Sequence, residues 1–192
     1  MKTLTIIFLF FICFSNLKGS EIADSNDRDI NYSFTFGVGL SADIDSIARH
    51  TDRSGIAFNF KFMVESFTDL SLGIEASYIN ISKFKQKNAQ TIYGLTDIDN
   101  RLTAIPIILV AQHKLFIFQI YGGYGPSYVI SEINSFGERS LSSEWDYSLM
   151  AGLSYSYNIN KNIKINAEGK YYAIPSLFKN ILNGQISITY TL

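Results

Sequence analysis

Tyr32-Ser33-Phe34-Thr35-Phe36-Gly37-Val38-Gly39-Leu40-Ser41 puts a bulky apolar residue at every second position, with small or polar residues between them. A period of two marks an extended strand whose two faces meet unlike surroundings. The alternation returns at the end of the chain, where Ile186, Ile188, Tyr190 and Leu192 interleave with Gln185, Ser187, Thr189 and Thr191. Further strands are predicted between these two. The second, Gly55 to Glu65, shows Ile56, Phe58, Phe60, Phe62 and Val64 on one face. The third begins at Leu70 and sets Leu72, Ile74, Ala76 and Tyr78 against Ser71, Gly73, Glu75 and Ser77. The fourth, Leu102 to Gln112, is apolar on both faces and fits either register. The fifth runs from Leu115 to about Ile130, with Phe116, Phe118 and Ile120 on one side. Tyr147 to Tyr157 and Ile163 to Tyr171 follow, and the closing strand makes the eighth. Most reach the ~9–11 residues that a tilted strand needs to cross a bilayer.

The first residues read differently. Lys2 supplies a positive start, Leu4 to Phe14 is an apolar run, and Lys18-Gly19-Ser20 ends a short polar stretch. This reads as a signal peptide over residues 1–20, too short in its apolar part to span a membrane as a helix. Cys13, the single cysteine, lies inside that run behind Phe11-Ile12, which lack the small residues of a lipoprotein site, so the mature chain is expected to hold no disulfide. Residues 21–31 form a polar leader without periodicity, and residues 32–192 form one domain. Of the 16 basic residues, Lys2 and Lys18 lie in the signal peptide, leaving 14 against 17 acidic ones. No basic cluster suggests nucleic acid. Aromatics reach 15% and charged residues only 17%, below the ~25% charged residues usual in soluble domains.

Connections alternate in length. Asp43 to Ser54, Lys83 to Arg101 and Ser131 to Asp146 are long; Ser66 to Asp69, His113-Lys114 and Asn158 to Asn162 are short. Long outer loops and tight periplasmic turns are the habit of outer-membrane barrels, and eight strands then put both termini in the periplasm. A soluble lipid-binding barrel of the lipocalin type would turn the large residues inward and cover its outside with Lys and Glu. Here the polar face is mostly Ser, Thr, Gly and Asn, which suits the cramped interior of an eight-stranded barrel. Tyr32, Tyr78, Trp145, Tyr147, Tyr157, Tyr171 and Tyr190 fall near strand ends, where aromatic girdles meet head groups. The expected fold is all-β, an eight-stranded antiparallel up-and-down transmembrane barrel.

The few charges on the polar face become interior charges: Lys61, Glu65, Glu75, Lys164, Glu168 and Lys170. If Phe62 faces Ile74 across the second turn, Lys61 lies directly opposite Glu75. Unpaired charge inside a narrow barrel is costly, so a paired network that fills the lumen is expected. An ion or proton path is the alternative. Pro106 removes a ladder donor from the fourth strand, which a bulge or a place near the membrane interface would reconcile.

Four stretches resemble the small outer-membrane barrel proteins of the Bacteroidetes type, the PorT-like group, which share the eight-strand plan of the OmpX and OmpA barrels. They are Leu102-Thr103-Ala104-Ile105-Pro106-Ile107, Tyr121-Gly122-Gly123-Tyr124-Gly125-Pro126-Ser127-Tyr128, Asp146-Tyr147-Ser148-Leu149-Met150-Ala151-Gly152-Leu153, and Ala167-Glu168-Gly169-Lys170-Tyr171-Tyr172. In the last, Gly169-Lys170 departs from the group's Arg-Tyr strand end. The final ten residues, Asn183 to Leu192, resemble the signal read by the barrel assembly machinery, with Gly184, Tyr190 and Leu192 as its marks. Leu192 stands where members commonly have Phe. The resemblance implies a bacterial outer-membrane location and no assigned activity.

Candidates for chemistry are few. His50 and His113 lie at opposite ends of the predicted barrel and cannot share a site. His50, beside Asp52 and with Asp97 and Asp99 in the next loop, imitates the surface dyads of lipid-modifying enzymes. Asp43, Asp45 and Asp52 lack the spacing and glycine of a calcium loop. The expectation is therefore a non-enzymatic, monomeric barrel without catalytic residues, cofactor or metal. Its partners are outer-membrane lipids, lipopolysaccharide and the assembly machinery, with surface ligands met by residues 43–54, 83–101 and 132–146. Lipid modification through His50 and a soluble lipid carrier are the alternatives.

Overall fold

The computed structural model describes residues 31–44, 51–52, 54–65, 69–91 and 94–192. The signal peptide, nearly all of the leader, Asp45, His50 and Tyr93 lie outside the described residues. The wall consists of β1 (Asn31–Asp43), β2 (Ser54–Glu65), β3 (Leu70–Thr91), β4 (Gly94–Leu115), β5 (Phe118–Ser135), β6 (Glu138–Asn158), β7 (Ile163–Ile174) and β8 (Lys179–Thr191). Each is antiparallel to the next in sequence, and β1 pairs with β8 from Ser33↔Thr191 to Asp43↔Ile181, which closes the ring. Closure leaves no free edge within the ring, so strand donors and acceptors find partners without water.

Alternation decides which face turns in. Along β1, Ser33, Thr35 and Ser41 are buried, while Phe34, Phe36, Val38 and Leu40 are exposed. Large side chains therefore line the outside, where rings pack across strands, as Phe34 does on Phe62 with centroids 5.1 Å apart. The ambiguous fourth strand resolves the same way: Ala104, Ile108 and Val110 are buried, and Ile107 and Leu109 are exposed.

Several expectations need correction. The stretches 83–101 and 132–146 are not loops. β3 and β4 stay paired from Lys83↔Arg101 to Thr91↔Gly94, and β5 and β6 stay paired to Ser135↔Glu138. At ~3.3 Å per residue these strands far exceed the ~9–11 residues that a bilayer requires, so they continue as a protruding sheet. The pattern fades there because neither face of that sheet meets an apolar medium. The turn placed at His113-Lys114 lies further on, because His113↔Ile120 and Leu115↔Phe118 remain paired and only Phe116 and Ile117 are left to turn. β7 runs on to Ile174, and a single 3-10 turn, Pro175–Leu177, leads into β8.

Pro106 takes no bulge. Its neighbours keep one register, Pro106↔Ser127 and then Leu109↔Tyr124, while the shifts between β3 and β4 fall at Asn80/Ser82 and Gln86/Ala89. The interior is also less polar than the sequence implies. Ile79, Ile81, Ala104, Val129, Ile174 and Ile181 form an apolar cluster that fills the lumen toward the hairpin end, away from both termini.

Candidate functional site

Two features stand apart from the plain wall: a charge cluster in the lumen and the sheet that rises beyond it. In the lumen the register Lys61↔Glu75 and Phe62↔Ile74 is present, yet the ion pairs do not follow it. The Lys170 ammonium, on β7, donates to both Glu75 carboxylate oxygens on β3 at 2.8 and 2.7 Å. It also lies 3.4 Å from Glu168 Oε2, which Lys61 approaches at 3.8 Å. Lys61 and Glu75 are neighbours along the wall, but Lys170 reaches Glu75 across the lumen, a direction that the ladder does not fix.

Two carboxylates and two ammonium groups give a formally neutral cluster, and neutral hydroxyls and amides complete it. Tyr172 Oη and Ser77 Oγ donate to Glu75 Oε1 at 2.8 and 3.0 Å. Tyr121 Oη and Gln185 Nε2 donate to Glu168 Oε2 at 3.0 and 3.1 Å, and Ser187 Oγ donates to Glu168 Oε1. The Tyr121 ring lies 4.7 Å from Lys61 Nζ, within cation–π reach. Such saturation is what makes buried charge tolerable. Glu65 and Lys164 belong to the same lumen but not to the cluster. They line a cavity of about 20 Å³ on its terminal side, together with Gln112, Gln119 and Asn166, which is room for about one water.

Tyr121 and Tyr172 were not among the sequence candidates. Their signal was present, since Tyr121 shares the parity of inward Gly125 and Ser127 on β5, and Tyr172 that of Glu168 and Lys170 on β7. Tyr121 faces Gly152 in the β5–β6 register. A Cβ built on Gly152 would sit 2.4 Å from the Tyr121 ring. Gly152→Ala should therefore push the ring off Glu168 and lower stability by ~1–3 kcal/mol, as overpacking does. Denaturant unfolding of the refolded variant measures this; an unchanged midpoint would show that the ring has room to move.

The sheet beyond the lumen has an open side. β6 pairs with β7 only from Leu149↔Ala173 onward, so among the described residues Glu138 to Ser148 have no partner strand on that side. Leu141, Trp145 and Tyr147 are exposed there. A groove of about 290 Å³ lies between the hairpins, lined by Lys85, Lys87, Asp97, Asp99 and Asn134. Lys85 pairs with Asp99 at 3.2 Å, and Asp97 accepts the Asn88 backbone N–H at 2.9 Å, so both loop aspartates are engaged. Asp43 is buried and takes Lys179 at 2.6 Å. His113 sits near the terminal end of β4, far from the sheet. Among the described residues no group of three His, Cys, Asp or Glu side chains is placed to hold a metal ion.

The profile of the outer membrane protein beta-barrel domain matches residues 11–192. The chain belongs to that family. Its exposed apolar wall is thus the lipid-facing surface of a barrel in the bacterial outer membrane. Among solved structures, it is similar to Ail, the attachment invasion locus protein of Yersinia pestis, solved with the heparin analogue sucrose octasulfate (18% identity, 85% of this chain and 99% of that one, TM-score 0.57). It is similar as well to a major outer membrane protein of Thermus thermophilus (9% identity, 85% and 99% covered, TM-score 0.57) and to Neisserial surface protein A (12% identity, 86% and 99% covered, TM-score 0.50). At these identities the likeness concerns the fold. No curated protein matches the chain in sequence.

Proposed function

We propose that this outer-membrane barrel is a non-enzymatic surface-contact protein: a rigid, filled wall that holds its protruding β3–β6 sheet in the medium and offers one strand of it to a partner. The unpaired Glu138–Ser148 side of β6 carries the reading, because an exposed strand edge is a template for an added strand. Leu141 along the same strand gives side-chain contact, with Trp145 at its foot. In this reading the sheet lies outside the cell and both termini lie in the periplasm. The contact surface comprises residues 43–54, 83–101 and 132–146, with lipopolysaccharide around the girdle. The solved Ail complex with a sulfated sugar supports ligand contact as a use of such barrels.

The remaining assignments belong to the same proposal. Residues 1–20 are the signal peptide and 21–31 a periplasmic leader. Gly184, Tyr190 and Leu192 address the closing strand to the assembly machinery, and the mature protein is a monomer of the PorT-like type. Lys61, Glu65, Glu75, Lys164, Glu168 and Lys170 serve structure, not transport, because the apolar cluster fills the lumen beyond them. Ser131 and Ser142 are ladder partners, so residues 132–141 can be replaced by Asn-Gly without disturbing the barrel. That trimmed protein should fold, judged by heat-modifiable gel mobility. It should lose the adduct formed on intact cells by a photocrosslinker at Ser143. Adducts of equal yield from trimmed and full-length protein would sink the contact-strand reading.

A further inference from the structure

The turn between β4 and β5 is unlike its neighbour at the same end of the barrel. Asn158-Ile159-Asn160-Lys161-Asn162 is polar and caps itself, with Asn160 Oδ1 accepting from the backbone N–H of Asn162 and Ile163 at 2.9 and 2.7 Å. Leu115-Phe116-Ile117-Phe118 has no polar side chain at all. Phe116 adopts φ 54°, a left-handed conformation that Gly or Asn takes readily and a bulky ring does not. The residue is 95% exposed, and Ile117 beside it is exposed as well. Phe136, at the tip of the β5–β6 hairpin, shares that backbone at φ 53°, but Gly137 follows it there, whereas the Leu115–Phe118 turn is apolar throughout.

The depth of the turn identifies what covers it. Tyr128 and Trp145 pack against each other on the outer wall, with ring centroids 5.1 Å apart. Phe118 and Tyr155 do so at 6.1 Å, ten residues along each strand. At ~3.3 Å per residue and a tilt of ~40°, that interval spans ~25 Å, the height of the apolar band of such barrels. The two aromatic pairs therefore mark its two rims. Phe116 and Ile117 follow directly on the Phe118 rim, continuous with the lipid-facing surface. We infer that the Leu115–Phe118 turn is seated in the phospholipid interface of the leaflet at the terminal end and anchors this side of the barrel there. Head groups and upper methylenes cover Phe116 and Ile117. This inference rests on the family and the wall, and is independent of the contact-strand reading.

The sole tryptophan of the chain, Trp145, makes a direct test possible. The full mature chain carrying Trp145→Phe and Phe116→Trp is refolded into phosphatidylcholine vesicles with brominated acyl chains. A Trp145→Phe, Phe136→Trp variant, with its indole at the tip of the β5–β6 hairpin, is the aqueous control. Emission from position 116 should be blue-shifted, resist acrylamide, and fall about twofold with brominated lipid, because a side chain ~5–10 Å into the interface meets the bromines. Position 136 should show the reverse. Acrylamide quenching at 116 equal to that at 136, with no response to bromine, overturns the inference. If Phe116→Trp prevents folding, Ile117→Trp gives the same reading with the left-handed residue retained.

Discussion

Lys170→Met should destabilise the barrel by ~3–5 kcal/mol, the range for removing one partner of a buried ion pair. Lys170 is the hub of the lumen: its ammonium contacts Glu75 and Glu168, and its side chain and that of Glu75 are 0% exposed. Methionine replaces the stem in volume but, among the described residues, leaves Glu75 with only neutral donors, Tyr172 and Ser77, within hydrogen-bond reach. Lys61 does not compensate, since it already leans on Glu168 from 3.8 Å. The measurement is equilibrium denaturation in vesicles, with folded barrel followed by gel mobility. A second variant separates charge from packing. Glu75→Leu together with Lys170→Met removes both charges and should recover most of the loss, because a buried pair and an apolar pair of similar volume differ little. A single Lys170→Met variant within ~0.5 kcal/mol of the parent, the range of an ordinary surface substitution, would mean that the cluster is hydrated and does not hold the wall.

Which parts of this were legible follows from the range of each signal. The wall was readable because lipid on one side and a tight lumen on the other impose opposite demands on successive residues, as at Phe34 and Thr35. The Lys61↔Glu75 register was readable from one turn, because antiparallel pairing propagates along a hairpin. The partner of Glu75 was not, because Lys170 lies 95 residues away and meets it only after β1 and β8 close the ring. Bulges hide in the same way. The shift at Asn80/Ser82 sets one extra β3 residue against β4, and nothing in Ile79-Asn80-Ile81-Ser82 announces it. Turn chemistry misled at Phe116-Ile117, where the usual Gly or Asn is missing and strand residues turn the chain. The protruding hairpins looked like loops because Lys83-Phe84-Lys85-Gln86-Lys87 alternates in a medium that does not sort its two faces.

Leu109→Arg should cost ~2–4 kcal/mol, the penalty for a guanidinium on the lipid face of a barrel near mid-bilayer. The position follows from the rims. Leu109 is opposite Tyr124, about midway between Tyr128 and Phe118 on β5, and it is 58% exposed on the outer wall. Around it lie Ile74 on β3 and Tyr124 on β5, so an arginine has no carboxylate beside it and must snorkel about half the bilayer thickness to reach water. The substitution separates the two environments that the alternation alone leaves interchangeable. In a soluble barrel the same exposed leucine would face solvent, where most substitutions stay within ~0.5 kcal/mol of neutral. Lys83→Arg, on the β3 stretch beyond the band, controls for the added guanidinium and should leave stability unchanged. Unfolding in vesicles of defined thickness adds a second dimension. Thinning the bilayer shortens the snorkelling path, so the Leu109→Arg penalty should shrink with chain length while the Lys170→Met penalty, set inside the lumen, should not. Equal responses of the two variants to bilayer thickness would show that the wall and the core do not meet different media.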